Sequence, residues 1–369
     1  RGFQILSKSR KKTFSGIETV PPGTSSTLPS SPPDDDLDQL SRAPAFIDNF
    51  SSDPKGTLGL TLLHAPPEDE PVLCDMVFVH GLGGGSRKTW SKTGTESHFW
   101  PAKWLPEDPD FKDVRIHTFG YDSDWTKRNN NCLNLHHMGL SLVGQLSTSP
   151  EISRSNTSLV FIGHSMGGLV IKKAFVLACH QNKKLAERVR AIYFLATPHR
   201  GADLAKTLKN ILQLVFSAPS YVVELIPGSD VLQAINDDFR QHAEGLELCS
   251  FYETRQFRAG IGISALVVDP ESARLGYPRE KQYPMNADHR SICKFDSPKD
   301  ENYRIVRNAL ASTVQNIRDT GMQLLVFIRA TCLLYVVTLM QSTLPRSTPV
   351  LVKTKWRPWR STLELWMRL

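Results

Sequence analysis

The stretch FIGHSMGGLV, Phe161 to Val170, sets a serine between glycines at the point where an apolar strand gives way to a helix. Gly163, Ser165 and Gly167 satisfy Gly-x-Ser-x-Gly. Upstream, Ser158, Leu159, Val160, Phe161 and Ile162 form a β-prone run. Downstream, Leu169, Val170, Ile171, Ala174, Phe175, Leu177 and Ala178 recur at helical spacing. The pattern is strand, sharp turn, helix. A serine on such a corner is forced into an uncommon backbone conformation, and neighbours without Cβ atoms let helix and strand approach while the hydroxyl projects outward. The helix N-terminus beneath it offers unpaired N–H groups to the negative charge that develops in acyl transfer. A pentapeptide this short also arises by chance, so the strand and helix around it carry the reading.

The 369 residues, 40% hydrophobic and 22% charged, suffice for one substantial α/β core plus further segments. A formal net charge of +7 is modest for this length, and no Lys/Arg stripe interleaved with aromatics crosses the folded part, which argues against nucleic-acid binding. Six cysteines, Cys74, Cys132, Cys179, Cys249, Cys293 and Cys332, lack Cys-x-x-Cys spacing. They read as buried thiols in a reducing, intracellular setting, without disulfides or a metal site. The chain opens on Arg1 and reads as a fragment or an incomplete sequence, so a targeting signal could have preceded it. Residues 1–55, rich in Ser, Pro and Thr, read as a disordered lead-in.

From Leu58 onward, short apolar runs alternate with helical patterns. The strand candidates are Leu60–Leu63, Asp75–Val79, Val114–Phe119, Leu159–Ile162, Ala191–Leu195, Leu246–Tyr252 and Ile263–Val268; Leu133–Leu146 and Gly167–Cys179 read as helices. The fold class is α/β, a mainly parallel sheet covered by helices on both faces. Two amphipathic patterns, one through Leu204, Leu208, Ile211 and Val215 and one through Leu232, Ile235 and Phe239, read as a small helical cap at 202–245 or as ordinary covering helices. Ser297, Pro298 and Asp300 signal the start of a last helix, which Tyr303, Val306, Leu310, Val314 and Ile317 continue and Gly321 is expected to stop. The domain is thus expected to span 56–321.

A serine hydroxyl needs a base, and the base needs a carboxylate that fixes its tautomer. With this elbow the chain order is Ser, then Asp or Glu, then His. Among the 11 histidines only His289 lies beyond the last strand candidate; His180, His199 and His242 come earlier. Glu253, directly after Leu246–Tyr252, is the first candidate acid, and Asp269, after Ile263–Val268, is the runner-up. One oxyanion donor is the Met166 N–H, next after the nucleophile; the second is the Leu82 N–H, in the glycine-rich VFVHGLGGGSRKTW, Val77 to Trp90. That segment lacks the Gly-x-x-x-x-Gly-Lys-Ser/Thr spacing of a phosphate loop, and no cofactor pattern is found elsewhere. His80 reads as a structural residue that holds the loop.

HGLGGGSRKTW, FIGHSMGGLVIKKAF, FLATPHRGADLA and NADHRSICKF, taken together, resemble the lipase-like α/β-hydrolases related to the serine-active-site-containing protein and to GPI-inositol deacylase-like lipases. Similar domains stand at the N-terminus of fungal NACHT or ankyrin receptor-like proteins. The resemblance covers roughly residues 59–319. It implies the α/β-hydrolase fold, Ser165 as nucleophile and His289 as base, serine esterase or lipase chemistry on a lipid or other ester, and mitochondrial or endoplasmic-reticulum membrane association. The alternative is a hydrolase-fold effector or interaction domain with weak or no turnover. The tail, 322–369, departs from the family. MQLLVFIRATCLLYVVTLM, Met322 to Met340, reads either as a membrane segment or as the product of an intron or shifted frame. Its apolar residues favour insertion by about 0.3–0.6 kcal/mol each, against about 2.5–3.5 kcal/mol for the central Arg329.

Overall fold

Six of the seven strands in the main sheet run parallel, as apolar runs separated by helical patterns require. The computed structural model describes residues 53–123, 135–199, 207, 211, 229–258 and 264–343; the lead-in up to residue 52 and the tail from residue 344 lie outside the described residues. The described elements are β1 (Gly59–His64), β2 (Cys74–Val79), α1 (Trp100–Lys103), β3 (Val114–Gly120), α2 (Leu135–Thr148), α3 (Pro150–Ser153), β4 (Ser158–His164), α4 (Met166–Gln181), α5 (Lys183–Glu187), β5 (Val189–Leu195), α6 (Ser229–His242), β6 (Glu247–Glu253), β7 (Phe257–Arg258), β8 (Ser264–Ala265), β9 (Lys281–Met285) and α7 (Glu301–Thr343). The sheet order is β1-β3-β2-β4-β5-β6-β9, with β1 antiparallel at one edge. This is the α/β-hydrolase arrangement.

Alternation along the strands divides the core in two. Val77, Val79, Phe161, Ile192 and Phe194 face α2, α4, α5 and α6, while Met76, Phe78, Val160, Ile162 and Tyr193 face α1 and the first half of α7. Trp90 and Trp100 pack edge-on against Phe78 at 5.1 and 5.2 Å, filling the second layer with large rings. Both faces are buried, which is why the strands read as nearly continuous apolar runs. All central strands end at one edge. Ser165, Leu82, Glu253 and His289 follow or end β4, β2, β6 and β9 there, the usual place for a site in a parallel sheet.

Two expectations about elements are corrected. Ile263–Val268 is not a strand of the main sheet: Ser264 and Ala265 pair with Phe257 and Arg258 in a two-residue ribbon, and Val267 and Val268 lie in a bend. The seventh strand is β9, KQYPM, which is polar and largely exposed at the sheet edge, so periodicity does not reveal it. The last helix starts at Glu301, where the Asp300 carboxylate accepts from the Asn302 N–H at 2.9 Å; Ser297 and Pro298 belong to the preceding turn. Gly321 does not stop it, because this glycine is not in the left-handed conformation of a helix cap and no proline follows closely. Of the candidate cap, the second pattern is α6, whose Ile235 and Phe239 are buried in the layer with α4, and the first lies largely outside the described residues; Thr207 and Ile211 are helical and buried.

α7 begins beside the sheet edge that carries Ser165 and His289, where Asn302 bonds the main chain of Asn286, and descends to the edge where the strands start. There Arg307 grips Asp108 with two 2.6 Å bonds and Arg318 grips Asp113, the residue before β3. Beyond, Leu324, Leu325, Val326, Phe327, Ile328, Leu334, Tyr335 and Val336 are exposed. The five described cysteines are free thiols; Cys74, Cys249 and Cys293 are buried, but Cys332 stands exposed on α7.

Candidate active site

Ser165 occupies the corner between β4 and α4 with φ 54° and ψ −123°, a left-handed conformation that a serine adopts only under constraint. Its N–H donates to the Leu195 carbonyl at 2.9 Å and its carbonyl accepts from the Gly168 N–H at 3.1 Å, so the neighbouring strand and the first turn of α4 hold it there. A Cβ at position 167 would collide with the Val79 carbonyl oxygen, so the glycine there is required for α4 to lie against the end of β2.

The structure brings His289 to this corner. Its Nε2 stands 3.0 Å from Ser165 Oγ, with both residues at most 3% exposed. The loop after β9 that carries it is shaped by Asp288, whose carboxylate accepts from the N–H groups of Arg290 and Ser291 and from the Ser291 hydroxyl. Burial, and then the neighbouring His164 and Arg290, hold the imidazole well below the ordinary histidine pKa. It is the neutral ring, with Nε2 free to accept, that such a position favours.

Glu253, fully buried at the end of β6, reaches toward the other ring nitrogen: Oε1 lies 3.9 Å from His289 Nδ1. That is beyond hydrogen-bond distance. Oε1 instead accepts from the Val268 N–H, while Oε2 and His289 Nδ1 have no partner among the described residues. Burial raises the carboxyl to about 8, against the opposing hydrogen bonds from Val268 and Val267. Asp269 is occupied differently. It accepts from the Glu271 N–H at 3.0 Å, the Ser272 N–H at 2.8 Å and the Ser272 hydroxyl at 2.6 Å, which makes it the first residue of a tight turn.

Leu82 lines a cleft of about 380 Å³ with Ser165, His164, His289 and Cys293, and Met166 is the first residue of α4, where a helix leaves its N–H groups unpaired. Lys88, Arg290 and Lys294 also line this cleft. His80 is wholly buried and shapes the glycine loop: Nδ1–H donates to Gly81, Nε2 accepts from the Tyr121 N–H, and the ring stacks on Tyr121 at 4.2 Å. His199 is packed edge-on against Phe194, with its N–H donating to the Ser272 carbonyl. Among the described residues no group of three His, Cys, Asp or Glu side chains is placed to hold a metal ion. One residue was missed by the sequence reasoning. His164, the variable position before the nucleophile, contacts the main chain of His289, and nothing in its spacing announces that partner.

An arrangement of this kind can pass the serine proton to the imidazole as the oxygen attacks an acyl carbon. The chain is also similar to known proteins. Residues 69–219 match the PGAP1-like alpha/beta domain. Protein SERAC1 of Mus musculus is 31% identical over 277 residues, covering 69% of this chain and 41% of its own length, and Protein SERAC1 of Homo sapiens is 30% identical over 306 residues, covering 74% and 44%. The chain therefore spans less than half the length of these relatives. Among solved structures, the Bacillus licheniformis lipase BlEst2 aligns with 65% of this chain and 94% of its own at 17% identity and a TM-score of 0.45. A fungal esterase structure from Rhizomucor miehei aligns with 76% of this chain and 94% of its own at 13% identity and a TM-score of 0.44. Residues 69–219 thus carry a PGAP1-like alpha/beta domain, in a chain homologous to Protein SERAC1 and built on the α/β-hydrolase fold.

Proposed function

We propose that the chain is a serine hydrolase that cleaves a carboxylic ester, a lipid ester in particular, through an acyl-enzyme. Ser165 Oγ attacks the ester carbonyl carbon while its proton passes to His289 Nε2, and the resulting oxyanion is met by the N–H groups of Leu82 and Met166. Collapse expels the alcohol, which takes the proton from His289. Water then attacks the acyl group by the same route, releasing the acid and restoring Ser165. Glu253 carries the charge that stabilises the imidazolium, and the 3.9 Å gap closes when that charge appears. The observation that carries this reading is the 3.0 Å approach of His289 Nε2 to a serine on a strained strand-to-helix corner.

A fluorophosphonate probe tests it. The native chain is expected to be modified at Ser165, as identified by mass spectrometry of the labelled peptide, and the Ser165→Ala chain is expected to remain unlabelled. Labelling of the variant to the same extent, or a native chain inert to the probe, would favour an interaction module without turnover.

The reading extends to a membrane. α7 contains a stretch long and apolar enough to cross a bilayer, with none of that stretch buried in the protein. A helix apolar on every side finds its partner in lipid. The full chain is expected to sediment with membranes and resist extraction by alkali, and Arg329→Leu to strengthen that retention markedly. A chain soluble in both forms would sink this part and leave the hydrolase reading untouched.

A further inference from the structure

His164 joins the nucleophile's own corner to the loop that carries the base. Its Nε2 lies 2.9 Å from the His289 carbonyl oxygen, and a carbonyl can only accept, so Nε2 bears the proton and donates. The ring is wedged in place: a Cβ at position 81 would come within 3.2 Å of His164 Nδ1 and 2.9 Å of Ser165 Cβ, so the glycine at 81 gives the imidazole its room. The two histidine rings stand 5.2 Å apart, tilted by 46°. Burial keeps His164 below the ordinary histidine pKa, so a neutral ring with one N–H suits the bond at neutral pH.

What this bond does follows from what His289 lacks. Its Nδ1 has no hydrogen-bond partner among the described residues and the Glu253 carboxylate stands 3.9 Å away, so no side chain yet fixes the ring from behind. The Asp288 turn shapes the loop internally, but it does not tie the loop to Ser165. The bond from His164 does so, across one peptide unit from the nucleophile. We propose that His164 is a positioning residue, whose Nε2–H holds the His289 main chain so that the base stays within hydrogen-bond reach of Ser165 before the carboxylate engages. This rests on the serine-hydrolase reading. Small displacements of a reacting group are costly, so the loss of the tether acts on kcat and not on substrate binding.

The test compares His164→Ala and His164→Gln in the full chain, with p-nitrophenyl butyrate turnover, the rate of fluorophosphonate labelling at Ser165, and hydrogen–deuterium exchange over 286–292. His164→Ala is expected to lose about tenfold in kcat and in labelling rate, with KM within about twofold and faster exchange in that loop. His164→Gln, whose amide can donate from nearly the same place, is expected to recover most of the rate and the slow exchange. Full labelling rate and unchanged exchange in His164→Ala would overturn the proposal, as would a loss that Gln does not repair. A native chain inert to both ester and probe would instead overturn the hydrolase reading, and this proposal with it.

Discussion

Ser165→Ala is expected to lower turnover of a p-nitrophenyl ester by about 10⁶-fold, and His289→Ala by a comparable factor, because the members of such a unit contribute together. Neither loss should come from unfolding. Ser165 Oγ bonds only the His289 ring among the described residues, while the backbone bonds that hold the corner, from the Ser165 N–H to the Leu195 carbonyl and from the Gly168 N–H to the Ser165 carbonyl, survive the substitution. Alanine bears the same left-handed strain as serine, so the ground state changes little. Thermal unfolding within a few degrees of the native chain, measured beside the rate, separates chemistry from stability. Native-like turnover in either variant would remove that residue from the proposed mechanism.

Glu253→Gln is expected to cost about 10⁴-fold in kcat, against less than about threefold for Asp269→Asn. The difference lies in what each carboxylate touches. Glu253 is the acid that faces His289 Nδ1, whereas the three bonds that Asp269 accepts all belong to its own turn, and an Asn oxygen can keep the two from backbone N–H groups. The pH profile adds a second mark. Burial raises the Glu253 carboxyl to about 8, so below that pH it is largely protonated and brings no charge to the imidazolium. Activity should therefore climb as pH rises toward about 8 and level off above it, and Glu253→Gln should lose that limb. A larger loss in Asp269→Asn would reassign the acid.

The elbow was legible because it is local: Gly163, Ser165 and Gly167 describe a corner whose cause lies within a few residues. The five central strands, β2 to β6, announced themselves as apolar runs for the same reason. β9 did not, since an exposed edge strand with Lys281, Gln282 and Pro284 is shaped by its pairing with β6 and not by its own pattern. The helix end was misjudged because Gly321 has the composition of a cap without the backbone conformation of one. Glu253 and Asp269 stood as alternatives in the sequence because both follow apolar runs; what sets them apart is that Asp269 satisfies its own turn, a fact of hydrogen bonding across three residues. His164 was hidden because its partner is 125 residues away in the chain.

The course of α7 fixes where the cleft can look for its substrate. The helix starts beside the loop that carries His289, runs down one face of the sheet, and leaves past Arg318 and Asp113, at the edge where β3 begins. β4 alone, seven residues long, sets roughly 23 Å between that exit and Ser165. On the proposed membrane reading, a bilayer that receives Met322 onward would lie at the pole opposite the cleft, with the mouth of the cleft turned away from it. On that reading an ester in the same leaflet would be out of reach, and the proposed hydrolase would meet substrates that come through the surrounding water or from a second surface facing the first.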